Sequence, residues 1–126
     1  IREAARHADA VGVPLCVENQ RVKRKTQYNT STPAELAAFL DDVGLDTDYL
    51  GVTLDVGHAT ASGIDYEAFV ETFGDRIVVA HLHDNDGTTD DHDPLPEYEA
   101  VAADIGAPYN VLEMKSKADV QRCIER

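Results

Sequence analysis

Basic residues are scarce in this sequence. Its 126 residues carry 11 Lys and Arg against 24 Asp and Glu, a formal net charge of −13. Binding to phosphate backbones is driven mainly by Lys and Arg, so the balance argues against a general nucleic-acid partner. Long apolar runs are missing too. No stretch approaches the roughly 18 residues of a membrane-spanning helix, and no membrane partner is expected. The two cysteines, Cys16 and Cys123, make no zinc motif and imply no disulfide framework. They read as buried thiols of a reducing compartment, which points to a cytoplasmic protein. There is no low-complexity tract and no internal linker, and a signal peptide with charged, apolar and small-residue regions is not expected. The chain opens on Ile1 directly in helical sequence, so an upstream portion is expected to be missing or processed away.

What is present is a chain able to fold. A hydrophobic fraction of 43% supports a packed core despite the charge, and the length suits one domain or part of one. The acids are 15 Asp and 9 Glu, and only four of the bases are Lys. Such Asp-rich, Lys-poor surfaces resemble those of salt-adapted proteins; an ordinary acidic cytosolic surface is the alternative.

Helix-like and strand-like segments alternate. Ile1, Ala4, Ala5, Ala8 and Val11 recur at helical spacing up to Gly12. The run Val13-Pro14-Leu15-Cys16-Val17 reads as a strand ending at Glu18. Residues 19–31 read as a loop with a basic cluster, Arg21 to Lys25. Thr32, Pro33 and Glu35 form a helix start of the capping-box type, and the helix Pro33–Val43 stops at Gly44. A strand over Leu50–Leu54 ends at Asp55, and a helix over Tyr66–Phe73 closes at Gly74. A third strand, Ile77–Ala80, ends at His81. A polar loop from Asp84 to Pro94 leads to a helix near Glu97–Ile105. The strand Tyr109–Leu112 ends at Glu113, and Ser116 caps a final helix with Asp119 in its first turn. Short strands that are apolar on both faces, separated by helices, predict a parallel sheet covered by helices.

The four strands end in Glu18, Asp55, His81 and Glu113. In parallel α/β structures such positions share one edge of the sheet, where active sites are built. Three carboxylates and an imidazole converging there would repel one another without a cation. A hard O/N ligand set suits Mn²⁺, Mg²⁺, Co²⁺ or Zn²⁺. His58, three residues after Asp55 and beyond Gly57, reads as a second metal ligand or a hydrogen-bond donor to substrate, with Gly57 permitting a tight turn. His81 and His83 share one face of an extended segment, which leaves His83 a ligand, a supporting group or a solvent-facing neighbour. Asp90 and His92, in the long loop, could bring a further pair of ligands or belong to a solvated acidic loop.

The runs Cys16-Val17-Glu18-Asn19, Leu54-Asp55-Val56-Gly57-His58, His81-Leu82-His83-Asp84-Asn85-Asp86-Gly87 and Val111-Leu112-Glu113-Met114 resemble the xylose isomerase-like TIM-barrel superfamily. Its members include sugar phosphate isomerases and epimerases, ketose 3-epimerases and metal-dependent apurinic endonucleases. The resemblance implies that Glu18, Asp55, His81 and Glu113 bind a divalent metal. It implies that His58 contacts substrate in the epimerase manner or a metal in the nuclease manner, and that Asp90 and His92 match a pair that holds a further metal in the nucleases, without deciding the branch; His83 is expected beside His58 as a further substrate contact. The sequence departs from the ketose 3-epimerases at Gly87, where an Arg would follow His81 by six residues.

The activity so implied is a sugar or sugar phosphate isomerase or epimerase. Metal-assisted proton transfer would pass through an enediolate, with Glu18 and Glu113 as acid and base. A metal-dependent apurinic/apyrimidinic endonuclease is the alternative, and a truncated, non-catalytic fragment a third. A closed barrel of this type needs eight strands and about 250 residues. The expectation is therefore that the chain forms the last four βα units of a TIM (β/α)₈ barrel, inactive alone. Its open sheet edges would be covered by an N-terminal half-barrel or a second copy.

Overall fold

Thr32, Pro33 and Glu35 act as their spacing predicts. In the computed structural model of the chain, which describes residues 1–22 and 30–125, the Thr32 hydroxyl accepts from the Glu35 amide at 3.1 Å. The Glu35 carboxylate accepts from the Thr32 amide at 3.1 Å. This reciprocal cap satisfies two of the amides that a helix start leaves open. It starts α2 (Pro33–Val43), preceded by α1 (Arg2–Val11) and β1 (Leu15–Glu18). The remaining elements are β2 (Leu50–Asp55), α3 (Val56–Ala61), α4 (Tyr66–Phe73), a 3₁₀ turn (Gly74–Arg76), β3 (Ile77–Leu82), α5 (Tyr98–Ile105), β4 (Tyr109–Leu112) and α6 (Lys117–Ile124).

The four strands form one sheet in the order β1-β2-β3-β4, and every pairing is parallel. A helix intervenes between each pair of strands, as parallel pairing requires. Parallel pairing also brings all four strand ends to one edge. Asp55 lies opposite His81 in the ladder, and the Glu113 amide donates to the Leu82 carbonyl at 3.2 Å.

Every residue of β2 is buried, as befits an inner strand covered by helices. Leu50, Val52 and Leu54 join Leu36 and Leu40 of α2 and Phe69 of α4 in one apolar cluster. Arg2 ties α1 to the end of α2, donating to the Val43 carbonyl at 2.7 Å and the Asp42 carbonyl at 2.9 Å. Those are carbonyls that a helix C-terminus leaves without intrahelical donors.

Three expectations are corrected. The first strand begins at Leu15 rather than Val13: Pro14 has no amide to donate, and the first cross-strand bond is Leu15 N–H to the Tyr49 carbonyl at 2.8 Å. The segment after Asp55 is a short helix, not a tight turn; the Asp55 carboxylate accepts from the His58 amide at 2.7 Å and caps it. The outer strands are not buried on both faces, for Tyr109 and Val111 of β4 are 65% and 43% exposed. Asn110 between them is exposed as well, so both faces of this edge strand are open while the inner strand β2 is buried throughout.

Candidate metal centre

Asp55 sits at the middle of the strand-end edge and is fully buried. Its backbone is held by a side chain that continues the β1 ladder past its end. Asn19 Oδ1 accepts from the Asp55 amide at 2.7 Å, and Asn19 Nδ2 donates to the Asp55 carbonyl at 2.9 Å. Asn19 also orients a neighbour, its carbonyl accepting from His58 Nδ1–H at 2.8 Å. No role for Asn19 follows from composition or periodicity. The available signal is its position directly after a strand-terminal Glu, where an amide can serve as donor and acceptor at once.

Around Asp55 the structure gathers Glu18, His81 and Glu113; the third strand runs on to Leu82 rather than ending at Ala80, so His81 sits within β3, one residue before its end. His81 Nδ1 lies 3.0 Å from Glu113 Oε2, 3.6 Å from Asp55 Oδ2 and 4.0 Å from Glu18 Oε1. His58 Nδ1 lies 3.2 Å from Glu18 Oε1 and 3.5 Å from Asp55 Oδ2. Close as these atoms are, Asp55 Oδ2 and His81 Nδ1 are buried without a hydrogen bond among the described residues. Buried polar atoms are rarely left so. Donor atoms that crowd together without pairing fit a divalent cation, and Glu18, Asp55 and His81 form one group able to hold one.

The long loop adds a second cluster. Asp84 and Asp93 exchange backbone hydrogen bonds of 2.9 and 2.8 Å across its base, which returns Asp90 and His92 to the site. Asp90 Oδ2 lies 3.3 Å from His58 Nε2 and 3.5 Å from His92 Nε2. His92 Nδ1–H donates to the Glu113 carbonyl at 2.9 Å, which leaves Nε2 facing Asp90. His92 adopts φ 53°, the left-handed region that non-glycine residues seldom enter. His83, Asp90 and His92 form another group of metal-ligand type. The loop is therefore docked rather than solvated.

The expected substrate contact at His83 has no exposed surface to offer, because its ring is wholly buried behind Asp55. Gly57 is what admits the ring: a Cβ there would overlap it. The basic cluster is only partly visible, since Lys23, Arg24 and Lys25 lie outside the described residues.

The electrostatics of this edge favour positive charge. Burial alone would lower the His58 pKa, but Glu18, Asp55, the Asn19 carbonyl and Asp90 together raise it to about 9. Contact with Asp55 raises His81, against the opposing effect of burial. Burial alone would raise Asp55; the adjacent His81, His83 and His58 instead hold it well below the usual carboxylate range. Protonated imidazoles thus balance the carboxylates, the role a divalent cation would otherwise fill.

Comparison with known proteins agrees with this architecture. The chain is 41% identical over 64 residues to the uncharacterised protein MJ1311 of Methanocaldococcus jannaschii, covering 48% of this chain and 21% of that protein. It is 34% identical over 65 residues to the uncharacterised protein y4fM of Sinorhizobium fredii, again covering 48% of this chain and 21% of that protein. Among solved structures, a D-tagatose 3-epimerase-like protein superposes with a TM-score of 0.81 at 28% identity, over 98% of this chain and 48% of that one. The 3-keto-D-glucoside 4-epimerase YcjR of E. coli shares the fold, with a TM-score of 0.63 at 16% identity and the same coverage. The chain thus spans about half the length of the solved structures it matches. The model of one family matches residues 1–116, and the chain belongs to that family, the xylose isomerase-like TIM barrels.

Proposed function

We propose that this chain supplies the metal-binding half of a sugar or sugar phosphate isomerase or epimerase, as the last four βα units of an eight-stranded barrel. One observation carries the reading. Two carboxylates from the outer strands, Glu18 and Glu113, approach the same His81 nitrogen at 4.0 and 3.0 Å, beside the unpaired Oδ2 of Asp55. Likeness to a D-tagatose 3-epimerase-like protein over nearly the whole chain supports it.

Glu18, Asp55, His81 and Glu113 would hold a divalent cation such as Mn²⁺, Mg²⁺, Co²⁺ or Zn²⁺. The chemistry such an ion supplies is polarisation of a carbonyl oxygen, which acidifies the neighbouring C–H. Glu18 and Glu113 enter the site from opposite edges of the sheet. One takes the proton from the carbon and the other returns a proton to it, the division of labour that inverts or moves a stereocentre. Asp55, buried and itself the cap of α3, keeps its charge as a ligand. His58, with Nδ1–H committed to Asn19, offers Nε2 to a substrate oxygen or to a cation.

The second reading is a metal-dependent apurinic endonuclease. What favours it is the loop pair Asp90 and His92 facing His58, a donor set sufficient for more than one ion. Against it stands the net charge of −13, which opposes approach to DNA. One experiment separates them. The full-length protein is loaded with Mn²⁺ and assayed on a panel of aldoses, ketoses and their phosphates, and on an abasic oligonucleotide. We expect proton exchange and interconversion of a sugar, with at least a 10³-fold loss of turnover in Glu18→Gln and in Glu113→Gln. Oligonucleotide cleavage without sugar turnover would reverse the assignment, and failure to bind any metal would favour a non-catalytic fragment.

A further inference from the structure

His83 and Asp55 are the two titratable groups of the site with no exposed surface; His83 falls in two groups able to hold an ion, with Asp90 and His92 and with Asp55 and Glu113, yet the proton transfer above does not use it. Its surroundings are specific. Nε2 lies 2.9 Å from Asp55 Oδ1, and Nδ1 lies 4.0 Å from Asp90 Oδ1. One edge of the ring occupies the space where Gly57 has no side chain. One face is stacked on His92, with ring centroids 4.0 Å apart and planes 6° from parallel. Both ring nitrogens are buried without a hydrogen bond among the described residues, which a histidine that merely fills a core seldom tolerates.

Building on the metal reading above, we infer that His83 is a positioning residue for Asp55. The two oxygens of that carboxylate have different surroundings. Oδ1 accepts from the His58 amide at 2.7 Å, and His83 Nε2 lies 2.9 Å from it as an ion-pair neighbour, without a hydrogen bond of its own among the described residues. Oδ2 turns the other way, toward His81 Nδ1 at 3.6 Å, and has no hydrogen bond among the described residues. Occupying Oδ1 from behind fixes the carboxylate torsion and presents Oδ2 to the cation. Groups that orient a metal ligand in this way commonly change affinity by about 10- to 100-fold when removed.

The same ring links the loop to the site. His92, stacked on His83, belongs to a loop closed at Asp84 and Asp93 and anchored at the Glu113 carbonyl, so the ring lies between the loop on one side and Gly57 and Asp55 on the other.

The test is a Mn²⁺ titration of the full-length protein, stripped of metal, with free Mn²⁺ read by electron paramagnetic resonance. His83→Phe keeps a ring for the stack and the Gly57 slot but has no nitrogen. His83→Gln loses the ring but keeps a nitrogen donor able to reach Oδ1. We expect Phe to weaken Mn²⁺ binding by about tenfold or more at unchanged stoichiometry, and Gln to stay within a few-fold of wild type. The inference is overturned if Phe binds within twofold of wild type, or if Gln is weakened as much as Phe. Should His83→Phe fail to fold, His83→Leu replaces it against Gln under the same criterion. A wild-type protein that binds no Mn²⁺ overturns the metal reading itself, and this inference with it. Tight binding in both wild type and Phe overturns this inference alone.

Discussion

Asn19 shows how much of the site rests on one amide. Its side chain closes two buried hydrogen bonds with the Asp55 backbone, at 2.7 and 2.9 Å. Replacing it with Ala removes both at once and leaves the buried Asp55 N–H without its acceptor, which costs about 1–3 kcal/mol, while the carbonyl loses one of its donors. We expect Asn19→Ala to lose about 2–4 kcal/mol in urea unfolding of the full-length protein, with no change in m-value. A loss under 0.5 kcal/mol would mean that water replaces the amide. At this scale the sequence is legible where chemistry and position coincide. A Glu, Asp or His after an apolar run announces itself, and the structure brings Glu18, Asp55, His81 and Glu113 together. The burial of His83 is not legible, because it depends on the missing side chain of Gly57, a residue 26 positions away whose Gly reads equally well as a turn.

At the scale of elements, caps and periodicity carry most of the information. The limits of α2 and α4 and the cap of α6 match their sequence signals, since each start or stop has a local cause. The helix α3 is not legible. Its six residues include Gly57 and Thr60, poor helix formers, and it exists because Asp55 caps it and Val56 and Ala59 are buried against the core. The exposed face of β4 is not legible either, because a strand's pattern does not say whether anything lies across from it. The capping box of α2 invites a direct measurement. Thr32→Ala abolishes the acceptor for the Glu35 amide and should cost about 1 kcal/mol, while Thr32→Ser should be close to neutral. Thermal unfolding of the two variants should separate them by several degrees. Equal melting temperatures would show that burial of Leu36, Leu40 and Val43 sets the helix start unaided.

For the whole molecule, the question is how a chain of net charge −13 tolerates carboxylates converging at one edge of its sheet. Without a cation the balance is kept by protons on His58 and His81, and its sign can be worked out. His58 is raised from 6.5 to about 9, so its contribution to stability is complete below about pH 6.5 and lost as pH rises through about 9. His81 is raised as well and acts in the same direction. Asp55 is lowered, so its contribution holds above the ordinary carboxylate pKa of about 3.9 and is lost as pH falls below that value. The metal-free full-length protein should therefore melt at progressively lower temperature as pH rises from about 6.5 to about 8.5. A bound cation replaces the protons with a charge that does not titrate, and ligand present at about 1,000 times its Kd adds about 4 kcal/mol. Saturating Mn²⁺ should then abolish the decline, and Mn²⁺ affinity should itself increase with pH as proton competition fades. Differential scanning calorimetry across that range, with EDTA or with Mn²⁺, tests both statements together. Parallel declines in the two series would mean that the cation does not displace these protons, and that the acidic edge is neutralised by other means.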